Sequence, residues 1–314
     1  MKMMKRLILA LTAVAMMVIL LTTSAFAYSA NTRSGKKYPV YTCFGDSVAS
    51  GYALADYNWE HDYSKTQWKL VRDSYPELIA RGVGAEKKGG KVYQFSHSAY
   101  RTTDLRVLLD RSFTGDSMCG YRLPSVNNDE RNVDWKAVEK YRNEVENAVR
   151  NSKLVTVGIG INDASMPALN ATETFSDSIT AALSLDFGRV VKDVTFYGAL
   201  AEGELNAFRL FSQNFDAIIA SIRKYNSKCK IVVIGNYNPA KNYLGGLGAV
   251  LNPIFDNQNN YMQNQCPLRD QYTFVDINDI KTHMNDPESE MYGADFHPTI
   301  NGHRQIAERV LAVL

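Results

Sequence analysis

Four short segments of the chain carry residue types that together could perform acyl transfer. They are Phe44-Gly45-Asp46-Ser47, Ser96-His97-Ser98-Ala99, Gly160-Ile161-Asn162-Asp163 and Asp295-Phe296-His297-Pro298. A serine hydroxyl is a poor nucleophile alone. It needs a base within reach, a group that orients the base, and donors for the oxyanion that forms. Ser47 follows an apolar stretch and a glycine, which permits a tight turn that exposes the hydroxyl. His297 can serve as the base from a loop before the last helix. Asp295, or a local backbone carbonyl, could hold the other ring nitrogen. Asn162 has a side-chain NH₂ that could donate to an oxyanion.

These segments must be brought together by the elements that bear them. Apolar, β-branched stretches predict strands over Val40 to Phe44, Val92 to Phe95, Leu154 to Ile159, Ile231 to Ile234 and Phe274 to Ile277. Helices are expected near Ser74 to Ile79, where Pro76 is tolerated in the first turn. Others are expected over Thr102 to Leu109 with a threonine cap, Asp134 to Val149 with an aspartate cap, Phe208 to Tyr225, and Ile300 to Leu314. Strands that alternate with helices and are apolar on both sides argue a parallel sheet covered on both faces. In such folds ligands sit beyond the carboxyl ends of the strands. Three of the four segments follow an expected strand and the fourth precedes the last helix, so all four should meet at one sheet edge. The connection from Ala164 to Leu205 is long, and reads either as a lid or pocket wall or as an extra helical layer.

The four segments, in this order, resemble the SGNH or GDSL hydrolase family over about residues 40–310. Gly45-Asp46-Ser47 matches its first block, whose serine is the nucleophile and an oxyanion donor. Ser98-Ala99-Tyr100-Arg101-Thr102-Thr103-Asp104-Leu105 is similar to its second block, with Ala99 where the family has a glycine that donates its backbone N–H. That departure matters if φ must be positive there. Gly160-Ile161-Asn162-Asp163 matches the third block, whose asparagine is the third oxyanion donor. Asp295-Phe296-His297-Pro298 resembles the last block, whose histidine is the general base. Many members place the triad aspartate three residues before the histidine. Here Asp295 is two before, Ala294 holds the minus-three place, and a main-chain carbonyl is the alternative. The resemblance implies a three-layer α/β/α sandwich with a five-stranded parallel sheet, flavodoxin-like, in strand order 2-1-3-4-5. It implies a carboxylic ester hydrolase with catalytic Ser47, His297 and Asp295, an oxyanion hole of Ser47, Ala99 and Asn162, and no metal or organic cofactor.

Lys2, Lys5 and Arg6 precede an uncharged apolar run from Leu7 to Leu21 and the sequence Ala25-Phe26-Ala27. That is the order of a secretory signal peptide, with cleavage expected after Ala27. The run is short for a membrane span, which takes about 20 residues. Tyr28, not a cysteine, stands immediately after the cleavage point, which argues against a lipid-anchored lipoprotein. The remainder, 28–314, suits a single hydrolase domain. Removing the three N-terminal cations takes the formal charge from +2 to −1, a near-neutral balance that does not suggest nucleic-acid binding. The expected partner is a small-molecule or polymer ester, with membrane contact only through the signal peptide if it stays uncleaved. Cys43, Cys119, Cys229 and Cys266 permit two disulfides in an oxidising compartment, in three possible pairings. If a bridge exists, Cys229–Cys266 is the favoured pair, both residues lying at the N-terminal ends of neighbouring expected strands.

Other polar residues carry blander expectations. His97 either contacts substrate or is a bonded structural histidine, and His303 reads as structural. Asp46 reads as a helix cap and Asp163 as a brace for the Asn162 loop. His61 and His283 sit in polar loops, and Asp56, Glu60 and Asp62 read as a solvated stretch. Tyr57, Trp59, Tyr63 and Trp68 offer either stacking surfaces or packing under a loop. A secreted serine esterase acting on lipid or carbohydrate acyl esters is therefore expected, with a polysaccharide or peptidoglycan O-acetylesterase as the alternative. A non-catalytic binding module on a degenerate fold would have lost Ser47, Asn162 or His297, and all three are present. An envelope-anchored structural protein would need an uncleaved N-terminus.

Overall fold

A computed structural model of the chain describes residues 38–58, 70–116, 119, 123, 133–165, 194–238, 246–293 and 295–314. The expected signal peptide lies outside the described residues. So do Trp59, Glu60, His61, Asp62, Tyr63, Trp68, Ala294 and residues 166–193 of the long connection. The elements in chain order are β1 (Val40–Gly45), α1 (Ser47–Ser50), α2 (Tyr75–Val83), β2 (Lys91–Ser96), α3 (Thr102–Leu109), α4 (Trp135–Asn151) and β3 (Leu154–Gly158). They continue with α5 (Val194–Tyr225), β4 (Lys230–Ile234), α6 (Gly246–Asn260), β5 (Thr273–Val275) and α7 (Ile300–Ala312). The strands form one parallel sheet in the order β2-β1-β3-β4-β5. This is the α/β/α sandwich expected from the sequence.

Alternate residues of each strand face opposite layers, because side chains on a strand have a period of two. Phe44, Phe95, Val155, Val157, Ile231 and Val233 pack with α3, α4 and α5 through residues such as Leu105, Val145, Phe215 and Ile219. Tyr41, Cys43, Leu154, Val232 and Ile234 pack on the other face against Leu78, Ile79, Phe255, Ile306 and Val310 of α2, α6 and α7. Both faces are therefore dry, which is why the strands read as unbroken apolar runs.

The pairing register aligns the carboxyl ends. Gly45 lies opposite Ser96 on one side and Gly158 on the other, and Gly158 lies opposite Ile234. The residues that follow β1, β2 and β3 therefore leave the sheet at the same edge. Gly45 is required there by close approach. A Cβ on it would lie 2.4 Å from the Ala49 Cβ and 2.7 Å from the Gly158 carbonyl oxygen.

Four expectations are corrected. The helix expected from Phe208 begins at Val194, so 194–205 of the long connection is continuous with α5. Gly198 and Gly203 in the added turns lower helix propensity and hide the continuation from the sequence pattern. α6 was not anticipated, because Pro253 inside it and the asparagine-rich end mask its pattern. The cap of α3 is Arg101 rather than a threonine. The Asp104 carboxylate accepts the Arg101 backbone N–H at 2.9 Å, while the Thr102 hydroxyl is engaged elsewhere. Finally, all four cysteines are free buried thiols. Cys266 lies in the turn after α6 rather than on a strand, and its Sγ contacts Asp216 Oδ1 at 3.3 Å. Cys229 Sγ instead contacts the Asn226 carbonyl at 3.5 Å. Burial raises both thiols above the usual range, Cys266 to about 11.

Candidate active site

Asp46 caps α1, its Oδ1 accepting the Val48 N–H at 3.0 Å. The cap starts the helix at once after β1, and so presents Ser47 at the first helical position, half-buried at the sheet edge. Gly51 ends α1 in the left-handed conformation, and Tyr52 N–H returns to the Ser47 carbonyl at 3.0 Å. This turn swings the Tyr52 ring over the site.

His297 arrives from the loop before α7. An isolated bridge pairs Thr282 with Pro298, His283 N–H donates to the His297 carbonyl at 2.9 Å, and Thr299 N–H donates to the Lys281 carbonyl at 3.1 Å. Thr299 then caps α7 through the Gly302 N–H at 3.2 Å. Tyr237, at the end of the segment after β4, donates its hydroxyl to the Phe296 carbonyl at 3.1 Å. The histidine loop is thus tied on three sides.

The resulting geometry is a continuous line. Ser47 Oγ lies 2.9 Å from His297 Nε2, and His297 Nδ1 lies 2.6 Å from Asp295 Oδ1. The same carboxylate oxygen accepts the His297 backbone N–H at 2.9 Å. Between the two ways of holding the ring left open by the sequence, the contact observed is with the Asp295 carboxylate. Burial acts to raise the Asp295 carboxyl. The hydrogen bonds from His297 and the charges of His297 and His283 outweigh it, and the net position is below the usual carboxylate value. Asp295 therefore stays ionised beside the ring.

Ala99 has φ of 62°, the left-handed region that the family glycine would adopt freely. Ala99 and Asn162 are both half-buried, like Ser47. Among the described residues, neither the Ser47 nor the Ala99 backbone N–H is taken up by an intramolecular backbone bond. One hydrogen of the Asn162 amide is donated to the Tyr100 carbonyl at 2.9 Å, leaving Nδ2 its second hydrogen. Asp163 ties the same two loops together. Its carboxylate accepts the Thr102 N–H at 2.9 Å and the Thr102 hydroxyl at 2.5 Å.

The remaining candidates have structural partners. His97 Nε2 is 2.9 Å from the Tyr141 hydroxyl beneath the sheet edge. His303 Nδ1 accepts the Tyr75 N–H at 3.3 Å. Burial, with the charges of His297 and His283, pushes His303 down to about 3, so it stays neutral. His283, expected to be a bystander, instead braces the His297 loop through its backbone, and its ring contacts Ser289 Oγ at 2.5 Å. Two aromatic residues were not singled out by the sequence. Tyr52 sits 4.4 Å and Phe296 4.6 Å from the His297 ring, centre to centre, and Phe296 is 48% exposed. A glycine directly before Tyr52 was the available signal, since it reverses the chain onto Ser47.

The sandwich, with polar residues from four loops at its carboxyl edge, has the architecture of the α/β/α ester hydrolases. The chain belongs to the GDSL-like lipase/acylhydrolase family, whose model matches residues 43–305, and it is a carboxylic ester hydrolase. Its fold is similar to that of a lipase from a goat rumen metagenome, with TM-score 0.50 and 14% identity over 87% of this chain and 95% of that one. Other similar structures are an extracellular lipase from Streptomyces rimosus (TM-score 0.49, 19% identity, 87% and 97% covered) and a phospholipase A1 from Streptomyces albidoflavus (TM-score 0.48, 16% identity, 87% and 97% covered). No curated protein matches the sequence.

Proposed function

We propose that the protein is a secreted serine esterase that hydrolyses lipid or carbohydrate acyl esters through an acyl-enzyme on Ser47. The observation that carries this reading is the unbroken line from Ser47 Oγ through His297 to Asp295, at 2.9 Å and 2.6 Å. His297 Nε2 takes the serine proton as Oγ attacks the ester carbonyl. Asp295, held ionised, fixes the ring and stabilises the imidazolium. The Ser47 and Ala99 N–H groups and the Asn162 amide receive the oxyanion. Removing one such donor costs about 3–4 kcal/mol in related acyl transfer. His297 then returns its proton to the leaving alcohol, the alcohol departs, and water activated by the same ring releases the acid. Every proton is accounted for by His297, with no metal or organic cofactor in any step.

The second reading, a polysaccharide or peptidoglycan O-acetylesterase, draws on Phe296. Its exposed ring beside His297 offers a face on which a sugar could stack. One experiment tests both. Wild type and Ser47→Ala are assayed on esters from acetyl to palmitoyl and on acetylated sugars. Hydrolysis should fall at least ~10³-fold in the variant. Undiminished activity sinks the assignment of Ser47. A preference for long chains defeats the deacetylase reading, and a preference for acetylated sugars selects it.

Export rests on the basic start, the apolar run Leu7 to Leu21 and Ala25-Phe26-Ala27. The mature protein should begin at Tyr28. Mass spectrometry of protein recovered outside the cell checks this, and an intact Met1 there contradicts it.

A further inference from the structure

We propose a second, non-catalytic site at the opposite edge of the sheet that binds phosphate groups. A cleft of about 510 Å³ opens there, lined in part by Lys153, Arg223, Lys228, Lys230 and Thr273. Asp270 is the single carboxylate in its lining, so four cations face one anion. The clustering follows from the fold. Lys153 immediately precedes β3 and Lys230 opens β4. The register sets Lys230 opposite Leu154, with Lys230 N–H donating to the Lys153 carbonyl at 2.9 Å. Lys228 lies two residues earlier, on the turn that leads into β4. Parallel strands that begin on lysines therefore deliver their charges side by side at the amino edge, as they deliver Ser47 and Asn162 at the carboxyl edge.

The cations differ in freedom. Arg223 is fixed by its own chain, donating to the Cys229 carbonyl at 2.7 Å and to the Gln271 carbonyl. It contributes standing charge rather than a free fork. Lys230 Nζ reaches Thr273 Oγ1 at 2.7 Å. Among the described residues, no ion pair neutralises Lys153, Lys228 or Lys230. A concave surface of one sign focuses potential and concentrates counter-ions. Lysine ammonium groups act on phosphate as mobile point charges, and a phosphate offers several acceptor oxygens to several donors at once. The cleft size is that of a small-ligand site, about 300–1,000 Å³. The rest of the molecule does not share this charge, because residues 28–314 carry a formal −1. The phosphate could belong to a free phosphate polymer or to a lipid headgroup. Either would hold the enzyme by the edge away from Ser47 and leave the reactive edge open.

The test compares wild type with Lys153→Ala/Lys228→Ala and with Lys87→Ala/Lys88→Ala, a control outside the cleft. Pyrophosphate is titrated by calorimetry at low salt, beside acetate at matched ionic strength. Cosedimentation with phosphatidylcholine vesicles, with and without phosphatidylglycerol, runs in parallel. We expect wild type and the control to bind pyrophosphate over acetate, and the cleft variant to lose about tenfold or more, the scale of one to two charge contacts. Hydrolysis of a short acyl ester should stay within about twofold in all three proteins, which reports that the fold is intact. Selective cosedimentation with phosphatidylglycerol, lost in the cleft variant, identifies a lipid source. Pyrophosphate binding without it identifies a free phosphate. The proposal is overturned if wild type binds neither pyrophosphate nor anionic vesicles, if acetate competes equally, or if the cleft variant binds as well as the control. None of these outcomes depends on Ser47.

Discussion

Ala99 stands where the family has glycine, and its φ of 62° is the value that makes the exchange matter. A Cβ in the left-handed region costs roughly 1–2 kcal/mol. The chain bears that strain at a residue whose N–H is proposed to receive the oxyanion. Ala99→Gly should therefore raise stability by up to about 1 kcal/mol while leaving kcat within a few-fold. Thermal melts and steady-state kinetics check this. A lower melting temperature would show that the alanine methyl has packing value that outweighs its backbone strain. The departure from glycine was visible in the sequence. The sign of φ was not, because it is imposed by the loop between β2 and α3.

At the scale of elements, the histidine loop is held by the seam between residues 281–283 and 297–299 and by the first turn of α7. Gly302 closes that seam. A Cβ on it would fall 1.9 Å from the Lys281 carbonyl oxygen and 2.9 Å from the Pro298 Cβ. Both contacts are with segments that set the height of His297. Gly302→Ala should thus separate α7 from the loop, lengthen the Ser47–His297 contact and lower kcat about tenfold or more, since small displacements of a catalytic group cost that much. Binding of a non-reactive substrate analogue should change little. An alanine variant with wild-type kcat would show that the seam yields without moving His297. The elements themselves were largely legible. Apolar runs predicted all five strands, and the aspartate cap at Asp134 predicted the start of α4. The exceptions were α6, hidden by Pro253, and the first turns of α5, where Gly198 and Gly203 lower helix propensity.

Across the whole molecule, buried carboxyls set opposite pH dependences. Burial, with the charge of Asp163, raises Asp46 to about 7, and its Oδ2 has no hydrogen-bond partner among the described residues. Burial raises Asp163 to about 6. An unfolded aspartate titrates near ~3.9, so between that value and the folded one the native state holds a proton that the unfolded state has lost. The stability from these two groups is full below about pH 4 and drains as pH rises through about 6 to 7. Asp295 runs the other way. Its folded value is lowered, so its contribution is present above about pH 4 and is lost as pH falls through the lowered value. The melting temperature should accordingly decline from pH 5 to pH 8. Asp46→Asn should recover about 1–3 kcal/mol at pH 8, the scale of an unsatisfied buried polar group, and much less at pH 5. An equal gain at both pH values would remove the Asp46 charge as the cause.

Fold class, the order of the four polar segments and the side-chain chemistry available at each are legible in the primary structure. Strand periodicity, caps and residue type are local properties, readable one segment at a time. The arrangement of that chemistry comes from long-range packing. It set the Asp295 carboxylate against His297, turned Tyr52 and Phe296 beside the ring, left Cys229 and Cys266 unbridged, and gathered Lys153, Lys228 and Lys230 into one cleft. Ser47 and His297 are 250 positions apart in the chain and 2.9 Å apart in space. Contacts of that kind are set by sheet register and by packing on the two sheet faces, and no local pattern of residues encodes them.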